Sequence, residues 1–184
     1  MPPASERPPI VELAPAMANV AWSRELVTQS LEPLFVYLSD EGARNLRPIH
    51  AATLRFGWPP DQHPGDVVAN AARRYGLTPL LVHSTSWRLE AGHVILTYVV
   101  VVRRPVALNE NLADEHVPRT DLARGDAMSA PQEIGVAQVL EHAFRHLSWL
   151  VKDDDAVRLA LPDWMAFLGT YVPEPFQAFG APAG

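Results

Sequence analysis

His142 and His146 lie four residues apart in EIGVAQVLEHAFRHLSWLV, a segment whose apolar residues recur at helical spacing. Residues at i and i+4 share one face of a helix, so the two imidazoles could converge on one zinc ion. Zinc peptidases with such a pair carry Glu directly after the first His, but here that residue is Ala143. The pair therefore predicts either a metal-dependent hydrolase, with an acid from segment 107–132, or histidines at the edge of a packed helix.

Residue types of a hydrolytic triad occur at His83, Ser84, Thr85, Ser86 and Asp121. No GxSxG motif presents a serine nucleophile, and alternation along a strand explains HSTSW equally well. The sequence also has no GxxxxGK[ST] or GxGxxG motif, and it has no cysteine. These observations exclude thiolate chemistry and disulfides, and we expect no cofactor.

The segment with the two histidines is predicted to be a long amphipathic helix. Its core stripe consists of Val136, Val139, Leu140, Ala143, Phe144, Leu147 and Leu150. Trp149 lies off this stripe, on the side of His142, and so predicts a second burial surface. That surface would contact either the C-terminal helix, which carries Trp164, Phe167 and Leu168, or a second subunit in a homodimer.

Before this helix the pattern alternates between strands and loops. Residues 1–18 are predicted to be a proline-rich arm, and the spacing of apolar residues predicts a helix over 22–31 that stops at Pro33. LFVYL at 34–38 and PIHAATLRF at 48–56 are predicted strands, joined by the turn SDEGARN.

The middle of the chain carries the clearest local signals. GWPPDQHPG at 57–65 is predicted to be a loop, and GDVVANAARRYGL at 65–77 a helix that ends at Gly76. LLVHSTSWRL and HVILTYVVVV predict a hairpin with a turn around residues 90–92. The second strand is apolar on both faces and should be central in the sheet.

The rest of the chain is predicted to be a loop followed by helices. Segment 107–132 is polar and irregular, as in a lid, a binding loop or a disordered segment. Ser129 and Gln132 have the spacing of a capping box that opens a helix running to about Lys152. A short helix around 156–161 and a last helix from Pro162 should follow.

Size and charge limit the class of protein. The 184 residues, 48% of them hydrophobic, suffice for one core, and the net charge of −6 argues against a surface for nucleic acid. The longest apolar run has nine residues, too few for a membrane span of about 20. The start MPPASERPPI has no apolar segment behind a basic region. We therefore expect a cytoplasmic protein without nucleic-acid or membrane partners.

The order strand, Gly/Pro loop, helix ending in Gly-Leu and strand hairpin over residues 48–102 resembles the Nudix hydrolase fold. That family carries a loop and helix with the pattern G, five residues, E, seven residues, REUxEExGU, where U is a bulky aliphatic residue. If Gly76 and Leu77 close the pattern, Ala69 and Asn70 occupy the RE positions, and Arg73 and Arg74 occupy the EE positions; Arg55 and Asp61 fall on the first Gly and Glu. The helix acids of the signature are all absent.

The resemblance implies a domain that has lost metal-dependent hydrolysis. Nudix enzymes hold Mg²⁺ or Mn²⁺ between helix carboxylates and a diphosphate, whereas two guanidiniums would repel the ion. Arg73 and Arg74 are instead candidate ligands for a phosphate or other small anion, or they form a solvated helix face. Trp58, Asp61 and His63 in the preceding loop are further candidate ligand-binding residues.

The sequence thus predicts an α+β domain with a mixed sheet of Nudix-like order and flanking helices. Residues 1–18 are the arm, 19–130 the Nudix-like core and 131–184 a C-terminal helical segment that packs on the core or on a partner. The expected function is non-catalytic binding of a ligand or a protein. The alternatives are a metal-dependent hydrolase that uses His142 and His146, and a purely structural, oligomeric protein.

Overall fold

The computed structural model describes residues 29–59, 61–90, 92–122 and 134–173, which form an α+β fold. The strands are β1 (Gln29–Ser39), β2 (Gly42–Pro48), β3 (Phe56–Gly57), β4 (Pro79–Glu90), β5 (His93–Val102) and β6 (Leu112–His116). The helices are α1 (Pro64–Arg74), α2 (Val136–Asp153), α3 (Asp155–Ala160) and α4 (Met165–Leu168), with a 3₁₀ helix at Pro162–Trp164. No described helix has the length and apolar character required to cross a membrane.

The six strands form one mixed sheet in the order β4-β5-β1-β2-β6, with β3 also paired to β1. β1 runs parallel to β5 and antiparallel to β2 and β3. The hairpin partners β4 and β5 are antiparallel, as are β2 and β6. Because β1 is long, its first residues pair with β3 and its last residues pair with β2 on the same edge.

Each face of the sheet is covered by helices, because side chains alternate along the strands. Leu34 and Val36 of β1 pack with α2, α3 and α4 in one core, where Phe144 of α2 is fully buried. Leu31 and Phe35 point to the opposite face and pack with α1 in the second core. The C-terminal helices therefore pack on the sheet of this chain.

The structure corrects the predictions before residue 57. The predicted helix at 22–31 is wrong at 29–31, which belong to β1, and its earlier residues lie outside the described part. Residues 42–45, predicted as the end of a turn, belong to β2 together with residues 46–48, and of the strand predicted at 48–56 only the two end residues lie in strands. Gly42 has φ 120°, which lets the chain reverse within two residues, and the Ser39 hydroxyl donates to its carbonyl.

The predictions for the helix and hairpin that follow are confirmed. Helix α1 begins after His63, whose Nδ1 accepts a hydrogen bond from the Gly65 amide at 3.2 Å. Gly76 has φ 75° and ends the helix as expected. The hairpin is β4 and β5, and β5 lies in the sheet interior between β4 and β1.

The segment 107–132, predicted to be a loop, contains the edge strand β6. Strand β6 shows little alternation of apolar and polar residues, because Ala113 and Glu115 lie on one face and Asp114 lies on the other. The long helix is confirmed but begins at Val136, where the Gln138 side chain accepts from the Gly135 amide at 2.9 Å. Ser129 and Gln132, the predicted capping box, lie outside the described residues.

Candidate functional site

A cavity of about 500 Å³, open to solvent, lies at the surface beside strands β2 and β6, at the start of helix α2. Its walls come from three separate parts of the chain. These are β2 with the 49–52 loop, strand β6, and the first turn of α2. It is lined by Asn45, Arg47, Ile49, His50, Ala51, Ala52, Glu115 and Val136.

Asn45 is the buried polar residue of this cavity, with 7% of its surface exposed. It lies in the register of β2 between Val36 of β1 and Glu115 of β6, two residues after the core residue Ala43. Its Oδ1 is buried and has no hydrogen-bond partner among the described residues. An unpartnered buried amide oxygen costs about 1–3 kcal/mol.

Arg47 builds the polar side of the cavity. Its Nε donates to Glu115 Oε1 at 2.8 Å, and its Nη1 donates to the carbonyls of Pro48 and Ala51 at 3.2 and 3.4 Å. The same side chain therefore ties β2 to β6 and holds the 49–52 loop against the strand. Because Glu115 neutralises it, Arg47 contributes little net positive charge to the cavity.

The opposite side of the cavity is apolar. Ile49 is 46% exposed, and Ala51, Ala52 and Val136 add small apolar surfaces beside it. The Ile49 amide donates to the Asn111 carbonyl at 3.0 Å, which anchors the start of this loop. A ligand in this place would meet one hydrogen-bonding wall and one apolar wall, the usual combination in small-molecule sites.

The predicted anion ligands Arg73 and Arg74 lie elsewhere, on the exposed side of α1. Arg73 Nη1 donates to Asn70 Oδ1 at 2.7 Å, a contact one turn apart on the same helix. Neither arginine lines the cavity beside β2 and β6.

Two of the three loop candidates support the start of α1. Trp58 Nε1 donates to the Gln62 carbonyl at 2.9 Å, and its ring packs against the core on the α1 side. His63 caps the helix, while Asp61 is exposed. Within the described residues, the structure therefore shows local structural contacts for Trp58 and His63.

The two histidines of α2 lie on the side of the helix that faces β4. His146 Nδ1 is 3.0 Å from Nε2 of His83, a residue that the sequence did not pair with it. Burial, followed by the charges of His146 and His142, lowers the pKa of His83 to about 4, and burial followed by the charge of His142 lowers the pKa of His146. The described residues contain no group of three or more His, Asp or Glu side chains placed to hold a metal ion.

Trp149 lies against this histidine pair. Its ring stacks on His146 with centroids 5.8 Å apart and planes inclined by 21°. The C-terminal residues that the sequence offered as its partner instead surround Phe144, with ring centroids 5.9 Å away for Trp164 and 5.4 Å for Phe167.

The sequence did not identify Asn45 or Arg47 as site residues. Asn45 ends the predicted turn and Arg47 follows it, so the alternation of Ala43, Asn45 and Arg47 with Arg44 and Leu46 was not recognised as a strand. The position of Asn45 on the core side of a strand could have indicated a site, because a polar residue there is uncommon.

No protein-family model matches the chain, and no curated protein matches it significantly. Neither comparison assigns a family to it.

Proposed function

We propose that this chain is a small-molecule binding protein whose ligand occupies the cavity beside β2 and β6. The observation that carries the proposal is the buried Oδ1 of Asn45, which has no hydrogen-bond partner among the described residues. A ligand donor at this atom would recover the free energy that the unpaired oxygen costs.

The walls of the cavity indicate a largely neutral ligand. Arg47 and Glu115 neutralise each other at 2.8 Å, so the polar wall offers neither an unpaired cation nor an unpaired anion. The carboxamide of Asn45 combines an acceptor and a donor, which is the pattern that pairs with amides and nucleobase edges. Ile49 and Val136 provide apolar surface for a flat ring. We propose an amide or a nucleobase derivative as the ligand class.

The proposal includes binding without hydrolysis. Helix α1 resembles the Nudix helix in its position after a Gly/Pro loop, but residues 69, 70, 73 and 74 are Ala, Asn, Arg and Arg. A hard cation needs several anionic oxygens, which these side chains do not supply. A binding domain related to the Nudix hydrolases accounts for the missing acids.

A thermal-shift panel tests this function. Adenosine, guanosine, uridine and nicotinamide are each added to the full chain, to Asn45→Leu and to Asn70→Leu as the exposed control. Asn45→Leu removes the unpaired oxygen, so its unfolding temperature should equal or exceed that of the wild type, while the ligand-induced shift is lost.

Two results would contradict the proposed function. One is a panel in which no compound raises the unfolding temperature of the wild type. The other is a compound that shifts wild type and Asn45→Leu equally, because such a ligand binds elsewhere.

A further inference from the structure

Four exposed arginines lie around the C-terminal end of helix α1. Arg73 and Arg74 belong to its last turn, and Arg103 and Arg104 directly follow strand β5. The Arg103 amide donates to the Thr78 carbonyl at 2.9 Å, just before β4 begins. Because Thr78 comes only four residues after Arg74, this hydrogen bond brings the chain after β5 next to the end of the helix.

Segment 103–109, which follows β5, is held along this end of α1 without regular secondary structure. Asn109 Nδ2 donates to the Tyr75 carbonyl at 3.2 Å, and Asn109 Oδ1 accepts from the Asn111 amide at 2.9 Å. Pro105 is partly buried and restricts the backbone between these contacts. The fold therefore fixes the segment at both of its ends.

This segment presents two apolar side chains to solvent. Val106 is fully exposed and Leu108 is 45% exposed. A single exposed apolar residue is common in proteins, but here two of them lie in one short segment that also carries two arginines. Apolar side chains together with arginine are a combination that protein–protein interfaces use.

Little of the positive charge is neutralised. Arg104 Nη1 lies 3.0 Å from Asp40 Oδ2, in a pair whose side chains are 58% and 89% exposed and which therefore contributes little. Among the described residues, neither Arg74 nor Arg103 forms an ion pair. The whole chain has a net charge of −6, so an acidic partner is repelled elsewhere and attracted to this end of α1.

We propose that an acidic segment of a partner protein, with apolar side chains between its carboxylates, docks at this end of α1. The surface, called the α1-end surface below, consists of Arg73, Arg74, Arg103, Arg104, Val106 and Leu108. Guanidinium groups bind carboxylates through two parallel hydrogen bonds, and the two apolar residues add contact area from which water is excluded. Nucleic acid fits less well, because segment 103–109 has no aromatic side chain on which a base could stack.

This proposal is independent of the proposed function. Helix α1 packs on one face of the sheet, whereas α2, whose first turn lines the cavity beside β2 and β6, packs on the other. Asn45→Leu should therefore leave docking at the α1-end surface unchanged.

The experiment measures fluorescence anisotropy of a labelled peptide in which Glu and Leu alternate. Control peptides carry Ser in place of Leu, or Lys in place of Glu. The full chain is compared with Arg103→Glu, Val106→Ser and Lys152→Glu, where Lys152 is exposed in the last turn of α2 and undergoes the same charge reversal as Arg103.

We expect the wild type to bind the Glu/Leu peptide more tightly than either control peptide. Affinity should fall at least fivefold in Arg103→Glu, at least twofold in Val106→Ser and less than twofold in Lys152→Glu. Added salt should weaken binding, because the contribution of exposed charges is screened.

The proposal is overturned if the wild type does not bind the Glu/Leu peptide, a result that does not depend on how any variant folds. It is also overturned if Arg103→Glu and Lys152→Glu bind equally, or if the Ser peptide binds as tightly as the Glu/Leu peptide. Two further measurements test other occupants of the surface. Tighter binding of a single-stranded oligonucleotide, lost in Arg103→Glu, would assign the surface to nucleic acid, and a wild-type oligomer that dissociates in Arg103→Glu would assign it to a second copy of the chain; either result overturns the proposal.

Discussion

Arg88 donates two hydrogen bonds to the Glu32 carboxylate, from Nη1 to Oε2 at 2.8 Å and from Nη2 to Oε1 at 2.9 Å. Glu32 belongs to β1 and is only 3% exposed. Arg55 Nε also donates to its Oε1 at 2.8 Å, and the Thr97 hydroxyl donates to Oε2 at 3.1 Å. These contacts link β1, β4 and β5 with the chain just before β3. They also offset the free-energy cost of burying the Glu32 charge.

Glu32→Ala should destabilise the protein by about 3–5 kcal/mol, because it leaves two guanidiniums without their shared buried anion. Asp40→Ala is the matched control, since the Arg104–Asp40 pair is 58% and 89% exposed and should contribute no more than about 1 kcal/mol. Urea denaturation of both variants measures the difference. Similar losses in the two variants would show that burial does not govern the strength of the Glu32 network.

The same network predicts a loss of stability in acid. Burial alone would raise the pKa of Glu32, but hydrogen bonds from Arg88 and Arg55 outweigh it and lower the pKa to about 2. A carboxylate with a depressed pKa stabilises the fold fully above its unfolded pKa, near 4.5, and this contribution disappears as the pH falls through about 2. The free energy of unfolding, measured from pH 5 to 2, should fall more steeply in wild type than in Glu32→Gln. Parallel curves would contradict the assignment.

Two aromatic residues of α2 should differ in their effect on stability. Phe144 is fully buried and contacts the rings of Trp164, Phe167 and Tyr171, so Phe144→Ala should cost about 3–5 kcal/mol. Trp149 is partly exposed, and Trp149→Ala should cost clearly less. Thermal and urea denaturation compare the two variants, and an equal or larger loss for Trp149→Ala would require a second burial surface for this ring.

Local patterns predicted much of the fold. Helix α1, the β4–β5 hairpin and helix α2 each have strong periodicity and clear end signals, such as Gly76 with its positive φ. The sequence-based prediction missed strand β2, which begins at the turn residue Gly42. It also missed β6, a short polar strand that is stabilised by pairing with β2. In those places the strands are stabilised by pairing with neighbouring strands, which the local sequence pattern does not encode.

The candidate sites were harder to predict for the same reason. Asn45 meets the 49–52 loop and α2 only after the sheet has formed, and His83 reaches His146 across 63 positions in the chain. The sequence singled out His146 as a candidate residue but did not pair it with His83. Contacts between distant parts of a chain are fixed by tertiary packing, which composition and spacing do not specify.

The arginines of α1 remain a prediction with a direct test. Arg73 and Arg74 are exposed, so changing both to Ala should alter the free energy of unfolding by no more than about 0.5 kcal/mol. Thermal shifts with ADP, inorganic phosphate and citrate are compared between wild type and the double variant at low and high salt. A shift confined to the wild type and weakened by salt would assign an anion site to this helix, whereas no shift, or equal shifts in both proteins, would make these arginines a solvated surface.

If Asn45 pairs with a bound ligand, its side-chain amide signals in a ¹H–¹⁵N NMR spectrum must respond to that ligand. The compound with the largest thermal shift among adenosine, guanosine, uridine and nicotinamide is titrated into labelled protein, and the Asn70 side-chain amide serves as the exposed internal control. We expect the Asn45 signals to move in a saturable manner while those of Asn70 stay in place. If the ligand saturates the protein while the Asn45 signals do not move, the cavity beside β2 and β6 is not the binding site and the claim is contradicted.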